Sequence, residues 1–437
     1  MRIPITRNSY QNQFLYVCQD AIDPHFGNLQ KSDPNNTFRN IPHYESNGNQ
    51  VRQLHRIQSI NYGFSVERED IHQFGQLYPI QTLVNKPPQV TLDFEYLLAD
   101  GYNEQAVGFM VDGKTSFLSR HMLNRRTSSI CPAFGVGQNF FIVTGPQNLD
   151  IVGFDLSARN KHQTSVVGIG NAFLTQYALS AEVGSMPRAR MSYSGYNIRS
   201  YKGVTNLPLP SIDPTRNCAI SDTFFSIPDT YETFTYPKLI GIDEVELLNS
   251  SRGVSPGSIR LNLGGAGIMT RQGDSHGPRT KSSAIVQGMS INISLGTTQI
   301  EKLGNFYELT RLYNFPINIT VGINAIMSEL VESNLWDQIC QRKKHTITLE
   351  MFDACAIDAC DGVLQQSEAH VSFVLKNVEI DNESMTNAVG DPHRMVTIQG
   401  TAQIAGPEDG TNGLFVNGKS FFPDAPHILA WGHPLVC

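Results

Sequence analysis

An internal duplication constrains this chain more than any other feature of its sequence. A shift of 229 positions aligns residues 56–99 with residues 285–328 without a gap. The two segments share nine identical residues, and their apolar and polar positions largely coincide. Because such a repeat indicates one structural unit used twice, the sequence predicts two tandem modules of the same fold. Gly195 and Gly400, each at the end of a predicted strand, extend the correspondence to the later part of both copies.

The order of predicted elements gives the fold class and the divisions of the chain. Each copy has a strand, a long connection, a second strand, a helix that begins at a serine, and further strands. This order predicts an α+β fold, mainly antiparallel β, in which each module has a flanking helix. The predicted helices cover residues 116–126 and 328–343, and the strands after them cover residues 139–144 and 346–352. The predicted divisions are an N-terminal arm (1–50), module 1 (51–200), a connector (201–237), module 2 (238–405) and a C-terminal tail (406–437).

The arm, the connector and the tail have an irregular composition rich in turn-forming residues. Two interpretations remain open for them. They are either segments that drape over neighbouring subunits or ordinary surface loops.

The paired strands of each copy alternate apolar and polar residues, which predicts one buried and one solvated face. The predicted buried side of the first strand is Ile60, Tyr62, Phe64 and Val66. The polar side has short neutral or acidic side chains and no lysine or arginine, whereas an ordinary solvated sheet carries long charged ones. This composition predicts an open surface that does not bind phosphate. The alternative is that the composition of these four short strands is a coincidence. The residues on this side are Asn61, Ser65, Thr91, Asp93, Glu95, Ser290, Asn292, Ser294, Thr320 and Asn324.

A long connection separates the paired strands. In module 1 it covers residues 67–89, far more than the two to five residues typical of a hairpin loop. Its central residues are apolar, so we expect either another subunit or the parent module to cover them. The predicted contacts with a neighbouring subunit are Ile71, Phe74, Leu77, Tyr78, Ile300, Leu303, Phe306 and Tyr307.

The composition excludes several classes of protein. Lys+Arg 33 against Asp+Glu 40 gives a net charge of −7, which argues against a general nucleic-acid wrapper because such a protein needs surplus cations. With 17% charged residues, the chain is too poor in charge for a disordered protein or a coiled coil. No apolar run has the length of a bilayer helix, and the N-terminus has no signal-peptide pattern. The odd number of scattered cysteines, 7, is typical of free thiols in a reducing cytoplasm.

Two segments of module 1 resemble tail tube proteins of tailed bacteriophages. The first is IQSINYGFSVEREDIHQFGQLYPIQTLVNKPPQVTLDFEYLL, residues 57–98. The second is GIGNAFLTQYALSAEVGSMPRARMSYSGYNI, residues 168–198, which is similar to the strand, Val-Gly-x-x-Pro turn and final strand of such proteins. The resemblance covers most of module 1 and, more faintly, module 2. It implies tandem tail-tube-like β-sandwich domains whose inner strands form a barrel with those of other copies.

The resemblance also implies an assembly. Rings of tube domains stack into the conduit for DNA ejection, and two domains per chain imply a trimeric ring with pseudo-sixfold symmetry, or a ring of six chains if only one module lines the bore. The polar residues would line the lumen, where double-stranded DNA passes without specific binding, and the long connections would contact the next ring. The implied partners are further copies and other phage tail proteins, with no membrane. The implied location is the virion tail, after assembly in the host cytoplasm.

The sequence offers no convincing catalytic, cofactor or metal site. Cys355, Asp358, Cys360 and Asp361 lack the spacing of a zinc site, and the glycine run at residues 264–267 lacks a dinucleotide or phosphate-loop pattern. We therefore expect a structural protein that is not an enzyme and has no cofactor. Two alternatives remain open. One is a baseplate or tail-tip ring protein of the same fold, and the other is a carbohydrate-binding or hydrolytic tail protein, for which only two tryptophans are a poor supply of sugar platforms.

Overall fold

The computed structural model describes most of both modules. The described residues are 13–18, 51–119, 137–145, 165–202, 254, 259–264, 284–308, 310–327, 344–352, 370–386, 394–406 and 409–418, with short stretches between 206 and 226. The strands of module 1 and the arm are β1 (Gln13–Cys18), β2 (Val51–Gln53), β3 (Ile57–Ser65), β4 (Arg68–Ile71), β5 (Gln81–Val84), β6 (Gln89–Leu97), β7 (Gln138–Thr144), β8 (Ser165–Glu182), β9 (Arg188–Gly195) and β10 (Asn197–Lys202), and the helix is α1 (Tyr102–Ala106).

The connector and module 2 supply the remaining strands. They are β11 (Asn206–Pro208), β12 (Ile212–Asp213), β13 (Cys218–Ala219), β14 (Phe224–Ser226), β15 (Ile259–Gly264), β16 (Ala284–Ser294), β17 (Thr297–Ile300), β18 (Thr310–Tyr313), β19 (Ile317–Met327), β20 (His345–Met351), β21 (Val371–Thr386), β22 (Arg394–Ile404) and β23 (Gly413–Gly418). The fold is α+β and mainly antiparallel β, as predicted.

Eight strands form one continuous antiparallel layer across the two modules, here called the inner sheet. Their order is β3-β6-β9-β8-β16-β19-β22-β21. The first four strands belong to module 1 and the last four to module 2. The modules join where β8 pairs with β16, from Gly288 opposite Glu182 to Ser294 opposite Gln176. The two modules therefore share one continuous sheet.

The long strands β8 and β21 pass from the inner sheet into a second layer. Their first halves pair with β7 and β10 in module 1 and with β20 and β23 in module 2. Each strand contains an asparagine with positive φ, Asn171 (φ 52) and Asn377 (φ 58), and a register shift follows within a few residues. Strands commonly move between packed sheets at such bulges. The repeated bulge supports the duplication read from the sequence.

The two layers of each module enclose an apolar core. The buried ring of Phe94 on β6 lies 6.0 Å from the ring centroids of both Tyr193 and Phe140, which come from the inner and second layers. In module 2, Ile319, Val321 and Ile323 are almost completely buried on the equivalent side of β19. Burial of each such side chain stabilises the fold by about 1.5–3 kcal/mol relative to exposure. The alternating strands therefore have the buried face that their pattern predicts, except on β3.

The described parts of the arm and the tail pack on their own chain. β1 pairs with β2 and β7 of module 1, and β23 pairs with β21 of module 2. The strands predicted at residues 139–144 and 346–352 are confirmed as β7 and β20. The helix predicted at residues 328–343 and most of the one at 116–126 lie outside the described residues. No helix among the described residues is long and apolar enough to cross a membrane.

Candidate functional site

The solvated side of the inner sheet is a continuous polar face that crosses both modules. All ten residues that the sequence predicts for this side lie on it. The register runs from Asn61 to Asp93 on β6, then to Ser192 on β9, Gln176 on β8 and Ser294 on β16. Opposite residues of antiparallel strands point to the same side, so these side chains form one transverse row. We call this side the polar face.

Hydrogen bonds between neighbouring strands satisfy many of the amides on the polar face. Gln176 Nε2 donates to Asn292 Oδ1 at 2.8 Å, across the joint between the modules. In module 2, Thr397 Oγ1 donates to Asn324 Oδ1 at 3.0 Å. Short side chains that bond to one another lie close to the sheet and leave the space above it open.

Two arginines on the polar face correct the prediction that it contains no cations. Arg188 and Arg190 lie on β9, which the sheet order places between β6 and β8. Arg188 Nη1 lies 2.7 Å from Glu95 Oε1, and Arg190 Nη2 lies 3.5 Å from Asp93 Oδ1. The paired strands β3, β6, β16 and β19 contain no arginine on this side, so their alternation alone does not reveal these two. The signal that would have found the arginines is the alternation of RARMSYSG, which puts both in phase with Ser192 and Ser194.

The apolar side of β3 is exposed, contrary to the prediction that it is buried. Tyr62 is 50% exposed and Phe64 is 66% exposed. The residues at the equivalent positions of β16, Ile291 and Ile293, are 1% and 0% exposed. The reason is position in the sheet. Among the described residues β3 pairs only with β6, whereas β16 pairs with both β19 and β8. We call β3 the free edge.

A hairpin projects from each module where the sequence predicts a long connection. β4 pairs with β5, and β17 pairs with β18, each closing a turn in which an equivalent glycine has positive φ, Gly75 (φ 88) and Gly304 (φ 89). Seven of the eight predicted contact residues have exposed side chains, and the tips Phe74, Leu77 and Leu303 are fully exposed. Tyr307 instead packs on its own chain, with its ring centroid 6.0 Å from that of Tyr196. Of the eight predicted contact residues, Tyr307 is therefore partly covered by its own chain.

A buried ion pair anchors the second hairpin to module 1. Arg311 Nε donates to Glu308 Oε1, and the Tyr196 hydroxyl donates to the same oxygen. The Arg311 guanidinium lies over the rings of Phe173 and Tyr196, at 5.0 Å and 4.8 Å from their centroids. Burial raises the pKa of the Tyr196 hydroxyl above its usual value. The hairpin thus adds a second contact between the modules beside the β8–β16 joint.

A buried carboxyl lies on the core side of the inner sheet. The Tyr96 hydroxyl donates to Glu104 Oε1 at 2.5 Å, and the Tyr177 hydroxyl lies 3.4 Å from the same oxygen. Burial raises the pKa of Glu104 to about 6, although the hydrogen bond from Tyr96 lowers it. Glu104 is on α1, so these bonds tie the helix to β6 and β8. The group faces away from the polar face and has a structural role.

The described residues contain no group of three or more His, Cys, Asp or Glu side chains that could hold a metal ion. The cluster at Cys355, Asp358, Cys360 and Asp361 lies outside the described residues.

Comparisons with known proteins give weak similarities only. No protein-family model matches the chain, and no curated protein matches it. A sheath-tube complex of an extracellular contractile injection system, PVC, in the extended state is 12% identical, with a TM-score of 0.24, over 41% of this chain and 100% of that chain. The anti-feeding prophage cap, described as a tube terminating cap, is 12% identical with a TM-score of 0.21, over 35% of this chain and 88% of that chain. A type six secretion system protein is 16% identical with a TM-score of 0.19, over 36% of this chain and 88% of that chain. Scores this low carry no argument about function.

Proposed function

We propose that this chain is a structural subunit of a phage tail tube, which assembles into rings by extending its inner sheet from copy to copy. The observation that carries the proposal is the difference between two equivalent strands. β16 is buried because β8 pairs with it, while β3 has an exposed apolar side and, among the described residues, pairs on one edge only. The chain therefore contains one complete pair of this kind, β8–β16. It also contains β3, which is the equivalent of β16 but has no equivalent of β8 beside it among the described residues.

The equivalent of β8 in module 2 lies at the far end of the inner sheet. Residues 379–386 of β21 pair only with β22 among the described residues. β21 is the equivalent of β8, since both carry the asparagine bulge described above. A second copy that placed its β21 beside β3 would repeat the β8–β16 joint and would cover Tyr62 and Phe64. Exposed strand edges that are left unpaired promote uncontrolled association. A closed ring pairs every such edge, so we expect the copies to form a closed ring.

Ring size follows from the two modules per chain. If both modules line the bore, three chains form a closed ring of six similar modules with pseudo-sixfold symmetry. The polar face would then line the lumen, and double-stranded DNA would pass along it without specific binding. The exposed hairpin tips would contact the next ring and stack rings into a tube. In this role the chain has no catalytic activity.

The test uses microscopy and sedimentation of the purified full chain. We expect hollow tubes built from threefold rings. Phe64→Glu puts a charge on the free edge and should leave unassembled chains, whereas Phe64→Leu keeps the edge apolar and should still assemble. Leu77→Glu changes only a hairpin tip, so it should permit rings but prevent stacking.

Three results would contradict the proposal in different ways. A wild-type chain that stays monomeric at high concentration would exclude the tube. Assembly of Phe64→Glu identical to wild type would exclude the free edge as the joint. Wild-type rings that never stack would favour a tail-tip ring protein of the same fold.

A further inference from the structure

The charged residues of β6 and β9 on the polar face occur as two opposite pairs. Arg188 pairs with Glu95 at 2.7 Å, and Arg190 pairs with Asp93 at 3.5 Å. Asp93 also accepts a hydrogen bond from the Ser192 hydroxyl. More than half of each arginine side chain is exposed, so both guanidinium groups reach the solvent above the sheet.

Module 2 has no charged residue at the corresponding described positions. Gly322 and Asn324 occupy the places of Asp93 and Glu95, and Thr397 occupies the place of Arg190, since it lies opposite Asn324 as Arg190 lies opposite Glu95. The acidic and basic residues are thus present together in module 1 and missing together in module 2. In both modules the charges at these positions sum to zero.

An exposed arginine without a partner is a good ligand for phosphate, because its planar N–H groups bind two phosphate oxygens at once. A carboxylate within 4 Å of the guanidinium cancels most of its charge at distances beyond the pair. Such exposed pairs add little to the stability of a fold, with typical values of about 0–1 kcal/mol. These pairs can still affect DNA binding. The electrostatic potential of the paired charges is weak wherever a polyanion could approach, so the arginines attract it little.

We infer that Asp93 and Glu95 mask Arg188 and Arg190, and that this masking is what prevents the polar face from binding double-stranded DNA. The two carboxylates are then specificity determinants that act on their arginine neighbours rather than by repelling DNA at a distance. This inference refines the proposed function, because it gives the means by which DNA would pass the wall without being held. It concerns a surface of a single chain, so its test does not require a ring.

The experiment measures binding of a short fluorescent DNA duplex by fluorescence anisotropy, with the full chain kept below the concentration at which it assembles. We expect no binding by wild type at 50 mM salt. Asp93→Asn with Glu95→Gln should bind, and its affinity should fall about 12-fold between 50 and 200 mM salt, which is the change for two phosphate contacts in duplex DNA. Further replacement of both arginines by glutamine should abolish the gain.

A matched control separates the site from net charge. Glu67→Gln with Glu69→Gln makes the same change in net charge on and beside the first hairpin, and frees Lys86 from its 2.9 Å pair with Glu67. This control should behave like wild type. The inference is overturned if wild type binds as tightly as the double variant, if the folded double variant does not bind, or if the control gains the same affinity. None of these results depends on whether rings are seen, so failure of the proposed function is recognised separately.

Discussion

The buried Glu104 carboxyl makes the stability of the chain depend on pH in a window that the structure defines. Burial raises its pKa from the ordinary value of 4.5 to about 6 in the folded chain. Because folding raises the pKa of Glu104, this group stabilises the folded chain fully below pH 4.5. Its contribution to the free energy of unfolding is lost as the pH rises through about 6. A difference of about 1.5 pKa units corresponds to about 2 kcal/mol of unfolding free energy.

Glu104→Gln removes the titration and keeps an oxygen that can accept from Tyr96 and Tyr177. Urea unfolding of both proteins at pH values from 4.5 to 7 gives the comparison. His55, whose pKa burial lowers to about 4, titrates in the opposite sense, since its contribution is lost as pH falls from 6.5. It is present in both proteins, so the difference between them isolates Glu104.

We expect the variant to gain about 2 kcal/mol relative to wild type between pH 4.5 and pH 7. Tyr96→Phe removes a bond that favours the ionised carboxylate, so in this variant the window should move to higher pH. A difference between Glu104→Gln and wild type that stays constant across this range, or that changes in the opposite direction, would refute the reasoning. It would mean that the tyrosine hydroxyls outweigh burial.

Two further predictions concern packing. Ile293→Ala should lower the free energy of unfolding by about 2–5 kcal/mol, as measured in urea. Phe64→Ala, at the equivalent position of β3, should change the free energy of unfolding of the unassembled chain by less than about 0.5 kcal/mol. Equal effects of the two substitutions would argue against a free edge at β3. Arg311→Leu should destabilise the chain by about 3–5 kcal/mol because it leaves Glu308 charged and buried, while Lys86→Ala, which breaks an exposed pair, should leave the thermal midpoint unchanged. A small effect of Arg311→Leu would show that the second hairpin is not held by this pair.

The parts of the fold that repeat along the chain could be predicted from sequence. Alternation with a period of two gave both faces of β6, β16 and β19, since the side of a strand on which a residue lies depends only on local geometry. It could not give what covers each face. For Tyr62 and Phe64 that depends on which strand lies beside β3, a contact between residues far apart in sequence or in another copy.

The order of strands in the sheet was also beyond local reasoning. β9 lies between β6 and β8, and this non-local placement brings Arg188 and Arg190 to the acidic residues of β6. The predicted match of Gly195 with Gly400 was wrong, because equivalent positions depend on the register with the neighbouring strand. The register puts Gly400 opposite Val321, which corresponds to Leu92, and Leu92 lies opposite Tyr193. Isolated glycines are weak markers, since their use depends on the neighbouring strand.

A designed cross-link between copies tests the central claim, that β3 of one chain pairs with β21 of another in the register of the β8–β16 joint. Asn292 lies opposite Ala178 in that joint, and the equivalent positions are Gly63 and Ser384. Opposite Cα atoms of antiparallel strands lie about 4.5–5.5 Å apart, within the range of a disulfide. The control pair, Ser59→Cys with Ser384→Cys, is four residues out of register, or about 13 Å.

Mild oxidation of assembled Gly63→Cys, Ser384→Cys protein, followed by non-reducing electrophoresis, should give dimer bands and a trimer band that disappear on reduction, while the control should give neither. Monomer alone, or equal cross-linking of the two pairs, would contradict the pairing of β3 with β21.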